Sequence, residues 1–162
     1  MIVVPDAGPL IYLAAAGKLE VLVQLYDRVI VPRVVYDEIV VAGAGLPGSA
    51  EVSAARWLEV EDAAPDPALA GRLDRGEAAA IPLAERLGAL LLCDDARSRA
   101  EARRRGLPVI GTLGVLVLAK DRRLLDRIGP VIEAMRAIGM YVSDLLVREA
   151  LAAAGEGGES TR

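Results

Sequence analysis

The sequence contains no histidine. That removes Ser-His-Asp and Cys-His nucleophilic chemistry, and with them zinc held by imidazole. What remains for a site is carboxylate chemistry, whose oxygens suit a hard cation such as Mg²⁺ or Mn²⁺. Phenylalanine is also absent and tryptophan occurs once. A platform of aromatics for stacking bases is therefore not expected. Trp57 and the four tyrosines are expected to pack, with Tyr12 the one placed to approach a substrate near Asp6. Cys93 is the single cysteine, so the chain carries no internal disulfide and suits a reducing cytoplasm. It reads as a buried strand thiol without chemistry. No apolar run reaches the roughly 18 residues that span a bilayer. Nor does a basic stretch precede a hydrophobic segment at the N-terminus, where Ile2–Val4 reads as a strand. A cytoplasmic protein without a membrane part is expected.

What is present is a chain of 162 residues, 54% hydrophobic, rich in Ala, Leu and Val. That is enough for one domain with a sizeable core, and it excludes a disordered chain. The net charge of −4 argues against nucleic acid when taken alone, because phosphate binding uses a basic surface. The charge is uneven, however. Arg97, Arg99, Arg103, Arg104 and Arg105 cluster after Asp94-Asp95, and Lys120, Arg122 and Arg123 form a second group. These read either as solvated helix faces or as a basic rim around an acidic centre.

Strand signals alternate with helix signals along the chain. Ile2–Val4 reads as a strand, followed by a helix from Pro9 to Gly17 and a short one over Lys18–Tyr26. Val29–Val31 is the second strand, and Pro32 opens a helix over Arg33–Val41 that carries Glu38. A Gly/Pro loop, a short helix near Ser49–Ala55 and a strand over Trp57–Val60 follow. Glu61–Gly71 reads as a surface loop. Asp74–Leu87 is a helix with Glu77 in its first turn and a thin Ala78-Ala79-Ala80 face suited to close packing on a sheet. Ala89–Cys93 is a strand entering Asp94-Asp95, Arg97–Arg105 a helix, and Leu107–Ile110 a strand ending at Gly111-Thr112. Helical segments at Leu113–Lys120, Val131–Ala137 and Asp144–Ala154, the last capped by Ser143, complete a domain over 1–154. Residues 155–162 read as a disordered tail. The pattern predicts an α/β domain with a parallel sheet flanked by helices.

In such sheets ligands bind beyond the carboxyl ends of the strands. Asp6, Asp94-Asp95 and Thr112 each follow a strand, while Glu38 and Glu77 lie on helices. Converging in one cleft, these acids would hold divalent cations over a phosphodiester, with Thr112 positioning a water or ligand. Each acid also has a purely structural role open to it. Asp6 can cap the helix from Pro9, Glu77 can complement a helix dipole, Glu38 can be an exposed charge, and Asp95 can cap the helix that follows. A receiver domain would need its acid pair after the first strand, and a haloacid-dehalogenase-type phosphatase an Asp-x-Asp there; Asp6-Ala7-Gly8 provides neither.

The stretches DAGPLIYLAAAGKLEVL, VPRVVYDEI, LDRGEAAAIPLAERLGALLLCDD and GLPVIGTLGVLVLAK, in this order over about residues 1 to 120, resemble PIN-domain proteins. The likeness is to a branch of predicted nucleic-acid-binding members related to the VapC toxins. The resemblance implies a parallel sheet flanked by helices, metal-dependent endoribonuclease activity with Mg²⁺ or Mn²⁺, and the toxin role in a type II toxin–antitoxin pair. It also implies RNA, an antitoxin protein and a second copy of the chain as partners. It carries the family's acids onto Asp6, Glu38, Glu77 and Asp94 or Asp95, with Arg97, Arg99 and Arg103 available to RNA. Two departures stand out: Glu77 occupies a position where many members have Asp, and the fourth acid is doubled. The alternative from another class is a PIN-like module that binds RNA or a protein without cutting.

Overall fold

The structure, a computed structural model, describes residues 1–158. Strand β1 (Ile2–Pro5) leads to helices α1 (Ala7–Ala15) and α2 (Val21–Leu25). β2 (Arg28–Pro32) leads to α3 (Arg33–Asp37), which runs on as one π-helical turn, Glu38–Ala42. Then come α4 (Ser49–Ala54), β3 (Leu58–Glu61), a 3₁₀ turn (Pro67–Leu69), α5 (Arg75–Leu87) and β4 (Leu90–Leu92). The chain continues through α6 (Ala96–Arg104), β5 (Val109–Ile110), α7 (Thr112–Asp121), α8 (Gly129–Ala137) and α9 (Asp144–Ala153). Among the described residues five strands form one sheet, all parallel, in the order β3-β2-β1-β4-β5. The expected parallel sheet flanked by helices is therefore what forms, as a single compact domain.

The central strands are apolar throughout because helices cover both faces of the sheet. Successive residues point to opposite sides: Val3, Leu90 and Leu92 join one core with α1, α7 and α8, while Val4, Leu91 and Cys93 join a second with α5 and α6. Ala78, Ala79 and Ala80 are all but fully buried, so α5 lies close on the sheet. Pro82 inside α5 has no N–H for the Ala78 carbonyl. Asp66 N–H takes its place at 2.9 Å, and Leu69 beside it is fully buried. The stretch expected as a free surface loop is thus pinned to α5 by the hydrogen bond the proline vacated. Arg105 reinforces this, reaching Asp66, Glu85 and the buried Glu101.

Three further expectations are corrected. Pro9 is the third residue of α1 rather than its first, since the helix starts directly after Asp6. The helix carrying Glu38 changes to π geometry at that residue. Tyr141, expected to pack, is 96% exposed. Beyond α9, Glu156 folds back and is buried, accepting from the Ile128 and Gly129 N–H groups and from Lys120. Residues 159–162 of the expected tail lie outside the described residues. Among the described residues no helix is long and apolar enough to cross a membrane.

Candidate metal centre at the carboxyl edge of the sheet

The order of the strands fixes where a site can form. The chain runs outward from β1 to β2 and β3, then crosses back to β4 on the other side of β1. Between β1 and β4 the direction of winding reverses, which leaves a crevice at their carboxyl ends. Pro5 is in register with Leu92, and Leu92 with Ile110. The Asp6 N–H extends the ladder to the Leu92 carbonyl at 2.9 Å, and the Cys93 N–H to that of Ile110 at 3.0 Å. The residues that follow, Asp6, Asp94 and Thr112, therefore emerge side by side.

They line one cavity of about 990 Å³, together with Glu38, Glu77, Asp95 and Arg99. Asp6 is 9% exposed at the start of α1. Burial, and then the charges of Asp74, Glu77 and Glu38, push its carboxyl up from 3.8 to about 7, against the pull of the Ala7 N–H. Burial raises Glu38 as well, with Asp74 adding to it. Burial likewise raises Glu77, where Asp74 and Asp95 add and the Asp74 N–H opposes. All three carboxylates are thus held where their negative charge is disfavoured.

Helix α5 brings Glu77 in through a capping box. Asp74 Oδ1 accepts from the Glu77 N–H at 2.8 Å, and Glu77 Oε2 from the Asp74 N–H at 3.1 Å. Gly76, between them, supplies the space. A Cβ there would sit 3.2 Å from Glu38 Oε2 and 3.3 Å from Asp6 Oδ1, so those two oxygens face the same small volume. Glu38 stands where α3 gives way to the π turn, a geometry common at functional sites.

The two adjacent aspartates divide their work. Asp94 accepts from the Thr112 N–H at 2.7 Å and from its hydroxyl at 2.5 Å, which ties the end of β4 to the start of α7. Asp95 caps α6, accepting from the Ser98 N–H at 3.0 Å. Arg99 donates to the Cys93 carbonyl at 3.1 Å and lies beside Asp94 across Gly111. Arg97 and Arg103 are exposed on α6 and do not line the cavity. Arg104 and Arg105 turn away to Glu101. Burial lifts the Cys93 thiol to about 12, so it stays protonated and inert.

Asp74 is the acid that sequence reasoning passed over. It lines the cavity and raises all three of its neighbours. Its signal was the Asp-x-x-Glu capping-box spacing with Glu77.

The donor set fits a hard cation: carboxylate oxygens, two of them facing one gap, in a pocket that disfavours their charge. Among the described residues no three acids are gathered tightly enough to hold an ion as they stand.

The DUF3368 family model, described as a PIN domain, matches residues 2–156. The chain belongs to the PIN-domain family. The fold agrees with a solved PilT N-terminus domain protein of the hyperthermophilic archaeon Sulfolobus solfataricus P2. That structure has a TM-score of 0.50 and 16% identity, over 88% of this chain and 98% of that one, a likeness that bears on the fold alone. No curated protein matches the chain in sequence. PIN domains are typically metal-dependent nucleases that act on nucleic acids, and they generally use divalent ions.

Proposed function

We propose that this PIN domain is a Mg²⁺- or Mn²⁺-dependent endoribonuclease, acting in the cytoplasm as the toxin of a type II toxin–antitoxin pair. The observation that carries the nuclease reading is the pair Asp6 and Glu38 facing one gap at Gly76, with Glu77 and Asp94 lining the same cavity. Asp6, Glu38 and Glu77 would hold the cation, and Asp94 would complete the acidic wall. Bound there, a divalent ion supplies Lewis-acid neutralisation of a phosphodiester and acidifies water. Thr112 holds Asp94 in the cavity wall through both carboxylate oxygens, and Asp95 acts through α6, whose N-terminus it caps. Arg99 contacts the phosphate from the cavity wall, while Arg97 and Arg103 meet RNA further along α6. The toxin role, an antitoxin that covers this cleft and a homodimer rest on the resemblance of the sequence to the VapC branch.

The test is incubation of end-labelled cellular RNA with the purified chain in Mn²⁺ or Mg²⁺, in EDTA, and with Asp6→Asn in parallel. Discrete products that need both the ion and Asp6 are expected; products that persist in the variant would sink the assignment. One observation favours a second reading, a PIN-like module that binds without cutting: Asp94 and Asp95 are both engaged in hydrogen bonds that hold the fold. RNA retained with no product in any lane would select it.

A further inference from the structure

The cavity that holds the carboxylates has a second wall of different chemistry. The connection between α8 and α9 supplies Met140, Tyr141 and Val142 to its lining, and α9 adds Leu146. Tyr141 is 96% exposed, and Leu145 and Leu146 beside it are 55% and 51% exposed. The backbone that presents Tyr141 is well held. Met140 is buried and its N–H reaches the Met135 carbonyl; Arg136 donates to the Val142 carbonyl at 2.8 Å; Ser143 caps α9. Among the described residues nothing buries the ring of Tyr141, yet the loop fixes its place at the mouth of the acidic cleft.

Electrostatics alone does not hold a polyanion here. Among the described residues Arg99 is the one basic side chain lining the cavity, against Asp6, Glu38, Asp74, Glu77, Asp94 and Asp95. The net charge of −4 gives no long-range help. A ligand must therefore gain affinity from apolar contact. At about 990 Å³ the cavity is at the large end for ligand sites, which run to about 1,000 Å³, and exceeds what a lone phosphate fills. A single-stranded nucleotide carries both chemistries the walls ask for: a phosphate for the cation-binding side and an unstacked base for the apolar side.

We propose that Tyr141 is a base-stacking residue that receives a nucleobase of single-stranded RNA adjoining the phosphate at the carboxylates. This rests on the nuclease reading above. In a duplex the bases are already stacked and the ring has nothing to meet.

The experiment measures binding and cleavage separately. The full chain is titrated, with Ca²⁺ in place of Mg²⁺, into a labelled single-stranded oligoribonucleotide that carries a fluorescent adenine analogue. Cleavage in Mg²⁺ is followed alongside. Wild type should quench the analogue. Tyr141→Ala should lose the quench and bind about 5- to 150-fold more weakly, the range for loss of one stacked base. Tyr141→Phe should keep both, and the same strand in a duplex should show neither. Because the side chain is exposed, all variants should fold as wild type does. Equal binding by Tyr141→Ala, or no binding of the single strand by wild type, overturns the proposal. So does a Tyr141→Ala chain that falls from dimer to monomer in sedimentation, because a second copy then covers the ring. Cleavage with Tyr141-independent binding sinks the stacking role and leaves the nuclease. A Tyr141-dependent quench without cleavage does the reverse.

Discussion

Replacing Asp6 by Asn should stabilise the metal-free protein while abolishing the site. Asp6 is 9% exposed, and burial with three neighbouring carboxylates moves it from 3.8 to about 7. The sign follows from the protons. Between these values the folded chain holds a proton on Asp6 that the unfolded chain has released, so stability falls as pH rises through the window and stays low above it. A shift of about three units at 1.36 kcal/mol each corresponds to ~4 kcal/mol, an upper figure because the neighbours relax. Asn carries no charge to disfavour. For a domain of this size the gain corresponds to a rise in Tm of about 10 °C. Thermal unfolding by circular dichroism in EDTA, wild type against Asp6→Asn, reads it directly. The difference should be full near about pH 8, shrink to under ~2 kcal/mol near about pH 5 and vanish below about pH 4. Millimolar Mg²⁺ or Mn²⁺ should then raise the wild type alone, by mass action on the folded state. A variant that melts at or below wild type near about pH 8 would refute the reasoning, because Asp6 would then not be held against its charge.

Two further outcomes follow from close contacts. Gly76→Ala places a methyl 3.1 Å from Val35 Cγ2, 3.2 Å from Glu38 Oε2 and 3.3 Å from Asp6 Oδ1. The helix should tolerate it, since Ala is favoured over Gly there by up to ~1 kcal/mol. The ion-induced rise in Tm should nevertheless fall sharply, and cleavage about 10-fold or more; an unchanged rise would show that the gap is not the ion's. Glu156→Ala strands the Ile128 and Gly129 N–H groups and the Lys120 ammonium. It should cost ~2–4 kcal/mol in urea unfolding; a midpoint within error of wild type would show that the C-terminal turn contributes nothing.

The sequence by itself determined the layering. Apolar runs at Ile2–Val4, Val29–Val31 and Leu90–Leu92, separated by helical spacing, left a parallel sheet covered on both faces as the one economical arrangement. The absence of histidine and the acids that follow strands then confined the chemistry to carboxylates at one edge. Local rules also reached the caps at Asp95 and Ser143, because a cap depends only on the next three residues, and the same spacing at Asp74 was passed over. Tertiary structure decided what local spacing cannot carry. Which aspartate turns to Thr112 depended on the register of β4 against β5, and the place of Glu38 in the cavity depended on how its helix packs beside α5. The gap at Gly76 exists only because α5 packs where Glu38 and Asp6 meet. The separation of Arg99 from Arg104 and Arg105 followed from the faces of α6, since the buried Glu101 captured the latter pair. Exposure of Tyr141 likewise had no sequence signal, because burial is a property of what lies across from a residue in space and not of its neighbours along the chain.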